Sequence, residues 1–178
     1  MKVGPHGRFS LKKRAPDDTF GVSKTQAEKA IKGHIAKLAA LHDLLYAENK
    51  RALLIFLQGM DASGKDGTIK HVMSGVNPQG CTVTSFKEPS VQELEHDYLW
   101  RIHAAVPARG TIGIFNRSPY EDVLTVRVHN EVPRSVWTKR YGQINAFEKI
   151  LVENDVCIVK LFLHISSEEQ EKRFSDRL

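Results

Sequence analysis

The sequence predicts an α/β domain of three layers with a mostly parallel central sheet. Two observations predict it. Short, continuous apolar runs alternate with stretches of helical periodicity, and a loop of G-x-x-x-x-G-K spacing follows the first apolar run directly. Strands that alternate with helices are joined by right-handed crossovers, which makes the sheet parallel and covers both of its faces. At 178 residues the chain holds one domain with a substantial core and is short for two.

The elements follow in order. Residues 1–22 contain Gly4, Pro5, Gly7, Pro16 and Gly21 without apolar periodicity and read as an irregular arm. A helix begins near Ser23, where Ser23-x-x-Gln26 and Thr25-x-x-Glu28 both offer capping-box chemistry. Its apolar stripe is Ala27, Ile31, Ile35, Leu38, Leu41 and Leu45, and it ends around Asn49. The run Ala52 to Leu57 is short and wholly apolar, as in a strand buried on both faces. Further strands are expected at Cys81 to Phe86, at Thr111 to Phe115, and within Val156 to Ile165. Helices are expected after Lys65, after Ser90 (with Ser90-x-x-Glu93 as a capping box), and from about Arg134 to Val152. A last helix starts near Ser166, with Ser166-x-x-Glu169 as its box. The domain therefore spans residues 23–178, behind the arm.

Composition excludes several classes. Hydrophobic residues are 41% and charged residues 26%, ordinary for a globular protein. No apolar run approaches the roughly 20 residues that cross a bilayer, so no membrane partner is expected. No hydrophobic stretch follows the basic N-terminus, so it does not read as a secretory signal. Cys81 and Cys157 lie inside strand-like runs and read as two buried thiols of a reducing compartment, with a cytoplasmic setting. The formal charge is +5, and the segment from Met1 to Arg14 carries Lys2, Arg8, Lys12, Lys13 and Arg14 with no acid. Charge alone would suit nucleic acid, but the glycine-rich loop points to a smaller phosphate ligand, and no nucleic-acid partner is expected.

That loop is Gly59-Met60-Asp61-Ala62-Ser63-Gly64-Lys65-Asp66-Gly67, between a buried strand and a helical pattern. Glycines let the backbone curl so that successive N–H groups face one anion, and the helix that follows adds its positive end. Gly59, Ala62, Ser63, Gly64, Asp66 and Gly67 are thus phosphate-loop residues, and Lys65 supplies a mobile charge for terminal phosphates. A glycine-rich turn without ligand is the bland alternative. Asp66 stands where Ser or Thr would commonly meet a metal ion. It is either a metal ligand or a first-turn acid favoured by the helix dipole. Asp61 is read as a metal ligand, against a turn acid that bonds its own backbone.

Ligands of parallel α/β sheets bind beyond the carboxyl ends of the strands, so the residues after the second and third strands matter. Lys87 follows one, and Asn116-Arg117-Ser118-Pro119-Tyr120-Glu121-Asp122 closes the other. Arg117 suits bidentate phosphate binding and stabilisation of charge on a transferred group. Glu121 and Asp122 suit a metal or a substrate group, against a salt-bridged loop and helix start. Arg173 and Arg177 lie one helical turn apart and suit a lid over phosphates, against an exposed helix with a Glu169–Arg173 ion pair. His96 and His103 show no metal-ligand spacing and read as packing or surface residues.

The stretch from Leu57 to Lys70 resembles the phosphate loop of family-2 polyphosphate kinases. The resemblance continues through Gly75 to Gly80, Ser85 to Pro89, His96 to Arg101, Phe115 to Ser118, Tyr120 to Leu124, and Glu169-Gln170-x-x-Arg173-Phe174. It covers nearly the whole chain, with the blocks in order. It implies a P-loop kinase fold of thymidylate-kinase type, homo-oligomers, and phosphoryl transfer between inorganic polyphosphate and adenine nucleotides. It also implies magnesium dependence, with manganese as a substitute ion. On this likeness Asp61 and Glu121 place the metal, Lys65 binds donor phosphates, and Arg117 bridges donor and acceptor. Arg173 and Arg177 begin the lid, and the arm and Lys87 contact a long polyanion. Asn116 and Glu121, where other branches carry aspartate and asparagine, are similar to the branch that phosphorylates both mono- and diphosphates. Family members are longer, so the sequence is expected to stop where the lid helix begins and to leave the sheet with an unfinished edge. Two other readings stand beside this one: an ATP-dependent kinase of a nucleotide or small metabolite, and a polyphosphate- or nucleotide-binding module without turnover.

Overall fold

A computed structural model describes residues 2–4 and 9–177. Pro5, Gly7 and Arg8 of the arm lie outside the described residues, as do Met1 and Leu178. Beyond them the arm carries one short 3-10 turn, Leu11–Lys13.

Helix α1, Lys24–Glu48, starts at Ser23, whose side chain accepts from Gln26 while the Gln26 side chain accepts from the Ser23 backbone N–H. It is the Ser23 box, not the Thr25 one, that the chain uses. Asn49 ends the helix in the left-handed region, at φ 48°. Strand β1, Ala52–Gly59, leads into α2, Lys65–Val72. Strand β2 is Cys81–Ser85, and two short helices follow it, α3 at Val91–Leu94 and α4 at Trp100–Ala104. The single helix expected after Ser90 is thus divided. The Ser90–Glu93 box forms, but Asp97 accepts from the Leu99 backbone N–H through its own carboxylate, a local turn that competes with helix continuation. Strand β3, Ile112–Asn116, then gives α5, Glu121–Val128, and α6, Arg134–Glu153. Strand β4, Val156–Leu163, and α7, Ser167–Ser175, complete the order.

The four strands run in the order β2-β3-β1-β4, and every pairing is parallel. The central position of β1 explains its unbroken apolar sequence, since side chains on both faces are covered. Ala52, Leu54 and Phe56 face a core completed by Phe86, Ile102, Phe115, Phe147 and Leu151. Leu53 and Ile55 face the opposite core with Ile112, Ile114 and Val76, under Leu38 and Leu45 of α1 and Ile69 and Met73 of the α2 end. Helices on both faces of one sheet make the three layers. Phe115 is stacked with Phe56 at 5.4 Å and meets Phe86 edge-on at 4.8 Å. Such aromatic pairs contribute about 0.5–1.5 kcal/mol each beyond burial, and they anchor the end of β3 from which the site projects.

Strand β4 is different. Among the described residues it pairs only with β1, and Val159, Leu161 and Phe162 are exposed. Its position at the sheet edge corrects the reading of the thiols: Cys157, on β4, is exposed, and Cys81, on β2 at the other edge, is half-buried.

Candidate active site

The parallel sheet sends the ends of β1 and β3 to one side, and the loop from Gly59 to Lys65 lies there. Its conformation is set by close approach and by backbone sign. A Cβ on Gly59 would stand 2.6 Å from Ser63 Oγ and 3.0 Å from the Leu163 carbonyl oxygen, so only glycine fits between the loop and β4. Ala62 and Gly64 both have positive φ, 60° and 94°, and Gly64 is the N-cap of α2. Gly67, by contrast, has open space where a Cβ would go.

Lys65 folds back over the loop, donating to the carbonyl oxygens of Gly59 at 2.8 Å and Met60 at 3.1 Å. Burial, and then the neighbouring Arg117 charge, push its ammonium below the usual lysine range, while Asp61, Glu121 and Asp66 pull the other way. Asp66 accepts a hydrogen bond from the side-chain amide of Asn116. The amide oxygen of Asn116 and Ser63 Oγ are buried without a protein partner.

Arg117 has φ 85°, a backbone sign rare for a non-glycine residue, and its N–H donates to the Leu57 carbonyl across β1 at 3.0 Å. Its guanidinium lies between two carboxylates, 3.6 Å from Asp61 and 4.0 Å from Glu121. The structure therefore brings Asp61, Lys65, Arg117 and Glu121 together at the mouth of the loop, as the sequence suggested. Asp122 is turned elsewhere. It lies 3.7 Å from Arg101, which also donates to the Lys87 carbonyl at 2.8 Å, and burial pushes its carboxyl above the usual aspartate range against the pull of Arg101 and Arg140. One residue of helix rotates it about 100° from Glu121, so the two acids face different neighbours. Asp122 thus faces Arg101 of α4, away from the Asp61–Arg117–Glu121 group.

Helix α7 reaches the loop from the far side. Arg173 donates to the Ala62 carbonyl at 3.0 Å and to Glu169 at 2.7 Å, and Gln170 donates to the Asp61 carbonyl at 2.8 Å. The Ser166 cap forms only in half, Ser166 Oγ accepting from the Glu169 N–H, because the Glu169 carboxylate is engaged by Arg173. Both readings of Arg173 thus hold at once: it makes the ion pair and it touches the loop. Arg177 and Lys87 are exposed.

Sequence reasoning missed Gln58 and Ser118. Gln58 donates to Glu121 at 2.7 Å and accepts from Ser118 Oγ at 2.8 Å. The one available signal was a polar residue closing an otherwise apolar strand. No group of three or more His, Cys, Asp or Glu side chains that could hold a metal forms among the described residues. Asp61 and Glu121 are the carboxylate pair available to a hard cation, a donor set of the size that magnesium uses when phosphate oxygens complete its shell.

The sequence profile of polyphosphate kinase 2 matches residues 21–178. The chain is 52% identical to an AMP/ADP-polyphosphate phosphotransferase of Meiothermus ruber, over 99% of this chain and 67% of the relative. It is 48% identical to an ADP-polyphosphate phosphotransferase of Rhodopseudomonas palustris, over 90% of this chain and 60% of that one. The fold superposes on the crystal structure of polyphosphate kinase 2 from Arthrobacter aurescens with a TM-score of 0.93 and 42% identity, covering 98% of this chain and 63% of that chain. The chain spans about two thirds of the length of these relatives. A phosphate loop at the end of a central parallel strand, an arginine between two carboxylates above it, and a match over almost the whole sequence agree, and the chain belongs to the polyphosphate kinase 2 family.

Proposed function

We propose that the site transfers phosphoryl groups between inorganic polyphosphate and the adenine nucleotides AMP and ADP. The observation that carries the reading is the placement of Arg117 between Asp61 and Glu121 at the mouth of the loop that Lys65 closes. The names of the relatives supply the substrates. An oxygen of the nucleotide's terminal phosphate attacks the end phosphorus of polyphosphate. The bridging P–O bond breaks, and the shortened chain leaves with its electron pair. Little covalent chemistry falls to the protein, so positioning and charge supply the rate. Lys65 exchanges the loop carbonyls for a donor phosphate oxygen, and Arg117 reaches the donor and acceptor phosphates with separate nitrogens. Arg173, already against the loop, helps to exclude water, with Arg177 and Lys87 as outer contacts for a long polyanion.

Asp61 and Glu121 would hold magnesium, or manganese in its place, and the ion would neutralise charge on the phosphate oxygens. Homo-oligomeric assembly and a cytoplasmic setting complete the proposal, and sedimentation of the purified chain tests the former.

The test is product analysis with magnesium, AMP or ADP, and either polyphosphate or ATP as sole donor. ADP or ATP formed from polyphosphate supports the reading. Turnover with ATP alone moves the protein to ordinary kinases, and binding without turnover under both donors moves it to binding modules.

A further inference from the structure

Gln58 takes no part in the chemistry above, yet both ends of its side-chain amide are used. It closes β1, next to the first glycine of the loop. Its Nε2 donates to one oxygen of Glu121 at 2.7 Å, and its Oε1 accepts from Ser118 Oγ at 2.8 Å. Ser118 is 2% exposed, and its Oγ accepts in turn from the Tyr120 backbone N–H, so its single proton points at Gln58. This fixes the orientation of the amide, since the flipped form would set its oxygen against a carboxylate. The other oxygen of Glu121 accepts from Thr125 Oγ1 at 3.1 Å and faces Arg117. Donors therefore hold Glu121 on both oxygens.

We infer that Gln58, braced by Ser118, is a positioning residue for phosphoryl transfer that aims the Glu121 carboxylate at Arg117. The inference rests on the proposed function of Glu121 and Arg117. The brace joins the end of β1 to the start of α5, so the two halves of the site keep their spacing through one side chain. A residue that only filled space at the strand end would not need an amide at both contacts.

The experiment is a double-mutant cycle on kcat with polyphosphate and ADP, using Gln58→Met and Glu121→Gln singly and together, with Tm read in parallel. Gln58→Met keeps the volume and removes both hydrogen bonds. The expected result is a fall in kcat on the order of 10- to 100-fold, the usual cost of losing a group that orients a ligand-facing side chain, with little change in KM. In the Glu121→Gln background the same change should cost little further. Gln58→Glu keeps the acceptor for Ser118 but sets a second carboxylate against Glu121, so it should lower Tm. It should lose kcat like Gln58→Met, and the swapped pair Gln58→Glu with Glu121→Gln should regain Tm by restoring the hydrogen bond without regaining kcat beyond that of Glu121→Gln. A kcat for Gln58→Met equal to that of the parent chain, or a loss that adds in full to that of Glu121→Gln, overturns the inference. A parent chain without turnover under any donor overturns the functional reading and the positioning role with it. The Tm arm still reports whether the Gln58–Glu121 contact exists, so the two failures are told apart.

Discussion

Two glycines eight residues apart should respond to the same substitution with opposite signs. At Gly59 an added Cβ would meet Ser63 Oγ at 2.6 Å, the Leu163 carbonyl at 3.0 Å and Ser63 Cβ at 3.1 Å. None of these can retreat cheaply. Leu163 is paired in register with Gly59 at the end of the β1–β4 ladder, and Ser63 is 6% exposed inside the loop. Overpacking of this kind costs about 1–3 kcal/mol. Gly67 lies in the first turn of α2, exposed, with nothing within 4 Å of the Cβ position. There alanine should stabilise by about 0.5–1 kcal/mol through lower backbone entropy in the unfolded chain. At about 2–4 °C per kcal/mol for a chain of this size, Gly59→Ala should lower Tm by about 2–12 °C and Gly67→Ala should raise it by about 1–4 °C. Thermal and urea unfolding of both variants in phosphate-free buffer measure this directly. The reasoning is refuted if Gly59→Ala is as stable as the parent chain, or if Gly67→Ala loses more than about 1 kcal/mol.

Three further outcomes follow from the same contacts. Arg117→Lys keeps the charge but loses the fork between Asp61 and Glu121, so turnover should fall by on the order of 10³-fold, while Tm barely moves because the two pairs are long and partly exposed. Steady-state kinetics beside a melting curve check it. Asp122 has its carboxyl raised by burial, so its contribution to stability is present below the ordinary aspartate value and is lost as pH rises through the raised one. The stability of Asp122→Asn relative to the parent chain should accordingly improve as pH climbs above the ordinary aspartate value of about 4, and a Tm series upward from that value that shows the opposite slope rules it out. Arg173→Ala removes the bond to the Ala62 carbonyl from an ion pair that is partly exposed. It should cost under about 1 kcal/mol of stability yet raise KM for polyphosphate several-fold, which a donor titration measures.

The strands and the phosphate loop were legible because their determinants are local. A strand buried on both faces must be apolar throughout, and the loop needs its glycines within a few residues of one another. The capping residues Ser23 and Ser90 were legible for the same reason. What escaped depends on register and on strand position. Gln58 meets Ser118 and Glu121 only because β1 and β3 are neighbours, brought level by the Leu57–Arg117 bridge. Asp122 looked equivalent to Glu121 in sequence, and it is the helical rotation together with Arg101, packed against Phe86 and bonded to the Lys87 carbonyl, that separates them. Cys157 reads as buried from an apolar run, but a run of that kind is buried only in a central strand, and β4 lies at the edge. Asp97 broke a helix that periodicity alone would have continued, since its turn is made by a side chain and not by an apolar pattern.

The cations at the loop are not equally free. Arg173 is committed, with short hydrogen bonds to Glu169 and to the loop backbone. Arg117 lies beyond hydrogen-bond range of both its carboxylates, so its side chain is drawn to them by charge while, among the described residues, its donors remain unspent. Its backbone is the reverse, held in a conformation that costs about 1–3 kcal/mol for a side-chain-bearing residue and secured by the Leu57 carbonyl. A residue fixed at Cα and unspent at the guanidinium can take up two phosphates without first breaking a strong bond. Lys65 differs again, because the carbonyls that hold it belong to the loop proposed to cradle the anion. Its displacement by phosphate therefore frees backbone acceptors as it gains a partner, whereas Arg117 gains partners and gives up only long ion pairs. On electrostatic grounds Arg117 is thus the member of the site best prepared for a charge that develops during transfer, and Lys65 the one suited to a charge already present on the donor.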